Sequence, residues 1–249
     1  MKPNVWFPYK TENNECNCKL YCFNHAGGSS LVFKDWINFD EKIEVIPIEM
    51  PGHRKRIGEK CRTDFSGLVG EVAEQVIADA AKDKVFIYGH SLGAALAFSL
   101  AETLENKYNK KVDGLFVAGR QAPADDDPSP YRTSMGMSSL KDELLRLGDT
   151  PKELLDDKQF MDFYLPIIFL DYKLSENYLY DGNTVNCPIY AMCGDMDALT
   201  DVEKMKNWQK VTKNTLDFKK FRGGHFFAYK ESAEAVKKYI IHNIKNSMI

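Results

Sequence analysis

The stretch KVFIYGHSLGAALAF, residues 84–98, decides the fold. Its first part, KVFIY (84–88), is a short apolar run rich in β-branched and aromatic residues, which predicts a buried strand. From Leu92 to Leu104 the chain is apolar almost all round, as expected of a helix packed deep against a sheet. Between the two, Gly89-His90-Ser91-Leu92-Gly93 matches G-x-S-x-G. Five residues match such a pattern easily by chance. A strand ending at Tyr88 and a helix starting at Leu92 give this match its weight. In that setting the turn is a nucleophile elbow, which pushes the serine hydroxyl out above the sheet and needs glycines where strand and helix approach closely.

The alternation continues on both sides. Lys19–Phe23, Glu44–Ile48, Leu115–Ala118, Ile189–Cys193 and Leu216–Phe221 read as further strands, with Pro47 placing the second near a strand end. Phe65–Ala81 and Ser232–Ile244 read as helices. Strand and helix in alternation predict an α/β fold: a mostly parallel sheet covered by helices on both faces, here the α/β-hydrolase fold, in one domain over residues 1–249. Ligand sites in such sheets lie at the carboxyl ends of the strands. Ala124–Asn183 breaks the pattern by containing no convincing strand, and it reads as an inserted helical lid. Within it, Thr150-Pro151-Lys152-Glu153 predicts a helix start with a capping box, and Pro166 predicts a break or kink.

Bulk properties bound the function classes. With 249 residues, 44% hydrophobic and 28% charged, the chain can build one large core. A formal net charge of −3 offers no electrostatic case for a nucleic acid partner. No apolar run approaches the ~18 residues of a membrane span, and Met1 to Lys19 carries no signal-peptide core. A cytoplasmic protein is therefore expected, taken here as a monomer although nothing in the sequence sets its oligomeric state, and the cysteines at 16, 18, 22, 61, 187 and 193 are expected to be free thiols. There is no HExxH, Walker loop or GxGxxG, so neither a metal nor a cofactor is expected.

A serine hydroxyl needs a base near neutral pH. The chain order in this fold is serine, acid, histidine, which sets aside His25, His53 and His90. His225, in Gly223-Gly224-His225-Phe226-Phe227 just after the last strand, is assigned as general base over His242, which lies in the terminal helix. The orienting acid comes from Gly194-Asp195-Met196-Asp197. Asp197 is preferred because it sits further into the loop; Asp195 is then free to tie down backbone amides, and Asp171 in the lid is the remote alternative. The oxyanion hole takes one backbone N–H from Leu92 and a second from Asn24-His25-Ala26-Gly27-Gly28, where Ala26 is named and Gly27 is the alternative. His25 reads as structural. Pro51-Gly52-His53-Arg54-Lys55-Arg56 reads as a solvated basic loop, with a phosphate or acidic-partner site as the functional alternative. Phe160, Phe163, Ile167 and Phe169 read as packing the lid to the core rather than lining an acyl channel.

Taken together, the blocks CFNHAGG (22–28), EMPGHRKR (49–56), GHSLGAALAF (89–98), FVAGRQAP (116–123), LGDTPKELL (147–155), GDMD (194–197) and FRGGHFF (221–227) resemble the type II thioesterases of nonribosomal peptide and polyketide synthesis. The resemblance runs from about Leu20 to the terminal helix. It implies an editing enzyme that hydrolyses acyl groups from the phosphopantetheine arm of acyl or peptidyl carrier domains. Ser91, Asp197 and His225 fall on the family's triad, and Ala26 and Leu92 on its oxyanion amides. The chain departs from the family pattern at Asn24, at Leu92, at Asp149 in LGDTP and in the PGHRKR turn. The alternatives are a chain-releasing or general fatty-acyl thioesterase or esterase and, more remotely, a non-catalytic binding module.

Overall fold

The structure is a computed structural model, in which residues 4–10, 16–148 and 150–248 are described. Six strands form one sheet: β1 (Cys18–Phe23), β2 (Glu44–Pro47), β3 (Lys84–His90), β4 (Gly114–Ala118), β5 (Ile189–Gly194) and β6 (Leu216–Phe221). Their order is β2-β1-β3-β4-β5-β6, and every neighbouring pair is parallel. Pro47 is tolerated because β2 is an edge strand and ends there.

Side chains alternate across this sheet with period two. Val85 and Ile87 of β3, with Tyr21 and Phe23 of β1, pack on α1 (Phe65–Ala80) and α2 (Leu92–Tyr108). Phe86 and Tyr88, with Leu20 and Cys22, face the opposite layer, built from Phe33, Trp36 and α7 (Ala233–Asn246). Both faces of the central strands are therefore buried, which is why they read as continuous apolar runs. Asp64 caps α1 by accepting from the Gly67 amide (3.1 Å), and α2 ends in a left-handed Asn109.

The described residues of the lid contain no strand. They form α3 (Gly136–Leu147), α4 (Lys152–Asp156) and α5 (Lys158–Glu176) around a small core of Tyr131, Leu140, Leu144, Leu155 and Ile168. Three expectations are revised here. Pro166 does not break the chain into two helices, because α5 runs through it. The proline ring removes one N–H but leaves the packing of Ile168 and Leu174 to hold the helix. The capping box at Thr150 does not form: Pro151 is extended (φ −54°, ψ 140°) and takes the N-cap place itself with no side-chain cap. The four large apolar residues do not all pack inward, since Phe163 is exposed while Ile167 lines a cleft and only Phe169 joins the lid core. Asp149, one of the departures in the LGDTP block, lies outside the described residues.

None of the six cysteines is in a disulfide; five are buried and Cys61 is half-buried. Among the described residues no helix is long and apolar enough to cross a membrane. A short helix (α6, Val202–Lys206) follows β5 and adds Met205 to the core.

Candidate active site

The elbow closes between β3 and α2. Ser91 stands at φ 56° and ψ −117°, a conformation that costs a non-glycine residue on the order of 1–3 kcal/mol. Three contacts hold it there. The Ser91 amide donates to the Ala118 carbonyl at 2.8 Å. A Cβ at Gly89 would overlap the Gly93 carbonyl, and one at Gly93 would lie 2.6 Å from the carbonyl oxygens of Phe23 and Asn24. Only glycine at both positions lets strand, turn and helix come this close.

The loops after β5 and β6 are zipped together. Met196 N donates to Gly223 O (3.0 Å), Asp195 N to Phe221 O (2.8 Å), and Gly223 N to the Asp195 carboxylate (2.8 Å). Asp195 thus ties down the backbone and does not touch the imidazole. Asp197 does: its Oδ2 and Oδ1 lie 3.0 and 3.2 Å from His225 Nδ1. The same carboxylate accepts from Leu199 N (2.9 Å) and the Thr200 hydroxyl (2.7 Å). Burial alone would raise the Asp197 pKa, but the His225 hydrogen bond and charge, with the Leu199 and Thr200 donors, bring it down to about 2. The carboxylate is therefore ionised at any physiological pH. Leu199 and Thr200 were not foreseen, although an aspartate two residues before a loop amide is the signature of an Asx turn.

Ser91 and His225 line one small cleft together with Ala26, Leu92, Tyr131 and Leu199. Among the described residues no hydrogen bond joins Ser91 to His225, and such contacts are often long before substrate binds. The Ala26 and Leu92 amides, both at this cleft, have no hydrogen-bond partner among the described residues. Gly27, the alternative donor, is spent elsewhere: its amide gives its proton to Asp171 at 2.7 Å. Asp171, the remote alternative acid, is likewise committed to Gly27 and His53 and has no contact with His225. A larger cleft of about 850 Å³ adjoins the small one and shares Arg120, Gln121, Asp127, Ser175 and Glu176 with it.

His90 sits behind His225, with ring centroids 5.3 Å apart. Burial, reinforced by His225 and His25, holds the His90 imidazole well below the usual histidine range, so it stays neutral. His25 packs edge-on against Phe226, with centroids 4.9 Å apart, as a structural residue would. The basic turn is not the solvated loop its charges suggested. His53 and Arg56 are buried, and Arg56 lies 3.9 Å over the Trp6 ring while donating to Glu59 and to the Glu49 carbonyl. Only Arg54 and Lys55 of its charged residues face solvent.

A buried carboxylate–imidazole pair, a strained serine and two unspent amides around one cleft suit nucleophilic acyl transfer. Among the described residues no cluster of histidine, cysteine or carboxylate side chains forms a metal-binding group.

Comparison with known proteins points the same way. The thioesterase domain family matches residues 18–244. The gramicidin S biosynthesis protein GrsT of Aneurinibacillus migulanus is 31% identical, over 94% of this chain and 92% of its own. The medium-chain S-acyl fatty acid synthase thioesterase of Rattus norvegicus is 28% identical, over 92% of this chain and 89% of its own. Among solved structures, ClbQ from the colibactin NRPS/PKS pathway superposes with a TM-score of 0.86 at 27% identity, covering 93% of this chain and 98% of ClbQ.

Proposed function

The chain belongs to the thioesterase family, and from that premise we propose that it clears acyl groups from the phosphopantetheine arm of carrier domains, through an acyl-enzyme on Ser91. The observation that carries the reading is the Asp197–His225 pair, 3.0 Å apart, whose imidazole lines the same cleft as Ser91, Ala26 and Leu92. The editing role is supported by a relative named for gramicidin S biosynthesis and by solved neighbours titled as ClbQ of the colibactin NRPS/PKS pathway and as the type II thioesterase BorB of the borrelidin biosynthetic cluster.

In this reading Asp197 fixes the proton of His225 on Nδ1 and leaves Nε2 to accept. His225 takes the Ser91 proton as Oγ attacks the thioester carbonyl. The oxyanion forms between the Ala26 and Leu92 amides, each donor being worth about 3 kcal/mol in the transition state. The C–S bond then breaks, and the thiol leaves with the proton from His225. Water, activated by the same imidazole, attacks the Ser91 ester and releases a free acid. Asp197 stays ionised throughout and steadies the imidazolium. A monomeric cytoplasmic enzyme with thiols kept reduced completes the proposal.

The test is release of free acid from an acylated carrier protein, compared with acyl-CoA and simple ester substrates of the same chain. The expected result is a preference for the carrier substrate that Ser91→Ala abolishes. Turnover by Ser91→Ala equal to wild type overturns the mechanism. A preference for acyl-CoA or simple esters transfers the function to general fatty-acyl or ester hydrolysis.

A further inference from the structure

One ion pair outside the triad touches the oxyanion loop directly. Asp171 projects from α5, its side chain 2% exposed, and its Oδ2 lies 3.0 Å from Nε2 of His53, itself 4% exposed. The same oxygen accepts the Gly27 amide at 2.7 Å. The other ring nitrogen of His53 lies 3.1 Å from the Pro51 carbonyl oxygen. A carbonyl and a twofold-accepting carboxylate oxygen offer no protons. Both ring nitrogens must therefore donate, which makes His53 an imidazolium and Asp171 a carboxylate. Two buried charges of opposite sign hold the lid helix, the basic turn and the Gly27 amide at one oxygen.

The loop in question has little preference of its own. Gly27 sits at φ 74° and is followed by Gly28, so the 26–28 backbone is free to rotate its amides. From within the loop, the Gly28 amide donates to the His25 carbonyl at 3.0 Å. From outside, the Asp171 oxygen takes the Gly27 proton, and Ile168 of the same helix packs where a Gly27 Cβ would lie. With the Gly27 proton fixed toward the lid, the neighbouring Ala26 amide is the one left for the Ser91 cleft. The 26–27 peptide carries the Gly27 N–H and the Ala26 carbonyl, so without the Asp171 acceptor it can turn and carry the Gly27 proton away from the lid.

We infer that Asp171, backed by His53, is a positioning residue that locks the oxyanion loop so that the Ala26 amide, and not that of Gly27, meets the developing oxyanion. The inference rests on the serine mechanism proposed above. Its groups are separated by 144 and 118 residues in the chain, which hid them from sequence reading. The charged groups that act on His53 are Asp171 from α5 and Glu49 from the segment after β2; Cys61 packs on Gly52 in the field of Asp171, and Arg54 and Tyr164 stand at the neighbouring cleft. Burial alone would depress the His53 imidazole, but the Asp171 charge and hydrogen bonds raise it to about 9. The lock therefore holds at neutral pH and loosens as pH rises through about 9.

The experiment measures kcat and KM for thioester hydrolysis in wild type, Asp171→Ala, Asp171→Asn and His53→Gln, with active sites counted by a fluorophosphonate probe. It adds the inhibition constant of an alkyl boronic acid, whose tetrahedral adduct occupies the oxyanion hole. In Asp171→Ala, kcat per labelled site should fall about 10- to 100-fold, short of the ~10²–10³ that loss of a whole oxyanion donor costs. The boronate constant should rise by a matching factor while KM moves little. Asp171→Asn, which keeps an acceptor for Gly27, should lose less. Wild-type kcat should fall above about pH 9, and His53→Gln should lack that fall. If Asp171→Ala does not fold, Asp171→Asn and His53→Gln decide. Wild-type kcat and boronate affinity in those labelled variants overturn the inference and leave the serine mechanism standing. Wild-type turnover by Ser91→Ala would instead remove the mechanism on which it rests.

Discussion

Replacing Asp197 with asparagine should cost this enzyme about 10³- to 10⁴-fold in kcat, the scale set by removing the charge of a triad acid while keeping its shape. The structure says why. Oδ1 accepts from Leu199 N at 2.9 Å and Oδ2 from the Thr200 hydroxyl at 2.7 Å. An asparagine cannot set its NH2 against the Leu199 N–H, because two donors would meet. It must put the NH2 in the Oδ2 position, where the Thr200 hydroxyl can rotate to accept. That same position faces His225 Nδ1 at 3.0 Å. The new donor there favours the imidazole tautomer protonated on Nε2, the nitrogen that has to take the Ser91 proton. Wrong tautomer and lost countercharge together amount to about 4–5.5 kcal/mol of transition-state stabilisation. The assay is thiol release from an acyl thioester followed with a disulfide dye, with thermal melting to show that the variant folds. A folded Asp197→Asn variant within tenfold of wild-type kcat would refute the assignment.

The Asp197–His225 pair also makes a stability prediction. A carboxylate lowered from 3.8 to about 2 contributes about 2 kcal/mol of folding stability above pH 4, lost as pH falls through about 2. Urea midpoints at pH 6 and pH 2.5 should differ by less in Asp197→Asn than in wild type, and an equal difference would contradict the shift. Gly93→Ala should lower stability by roughly 1–3 kcal/mol and disable the elbow, because its Cβ would lie 2.6 Å from two backbone carbonyl oxygens that cannot move independently. A melting temperature and turnover equal to wild type would sink that reading. Native-state alkylation with iodoacetamide should label Cys61 before the other five cysteines, which are buried. Peptide mapping that finds a sheet cysteine such as Cys22 labelled first would contradict it.

The features legible in the sequence were those written in local pattern. The strand–glycine–helix rhythm around Ser91 gave the elbow, and the order of strands, Asp197 and His225 gave the pair that the structure brings together. The segment between β4 and β5 was legible as strandless, but its helix ends were not. Pro151 carried the right residue for a first helical position and took the cap place instead, and Pro166 stayed inside a helix held by tertiary packing. The basic turn misled for a different reason. Its charges suggested solvent, yet Arg56 is buried under Trp6, some 50 positions earlier in the sequence, and His53 is buried against Asp171. Partners that lie on distant segments leave no periodicity to read. The same separation concealed the partners of Asp171, which local sequence offered only as a spare acid.

The central claim is that an acyl group passes through Ser91. The direct measurement is to mix the protein with an acylated carrier domain, quench in acid within the first turnover, and map the digested protein by mass spectrometry. The account predicts the acyl mass on the peptide that contains Ser91, with thiol released in equal amount, and no adduct in Ser91→Ala. Free acid that accumulates with no adduct on Ser91 at any time point, or with the acyl group on another residue, would contradict it.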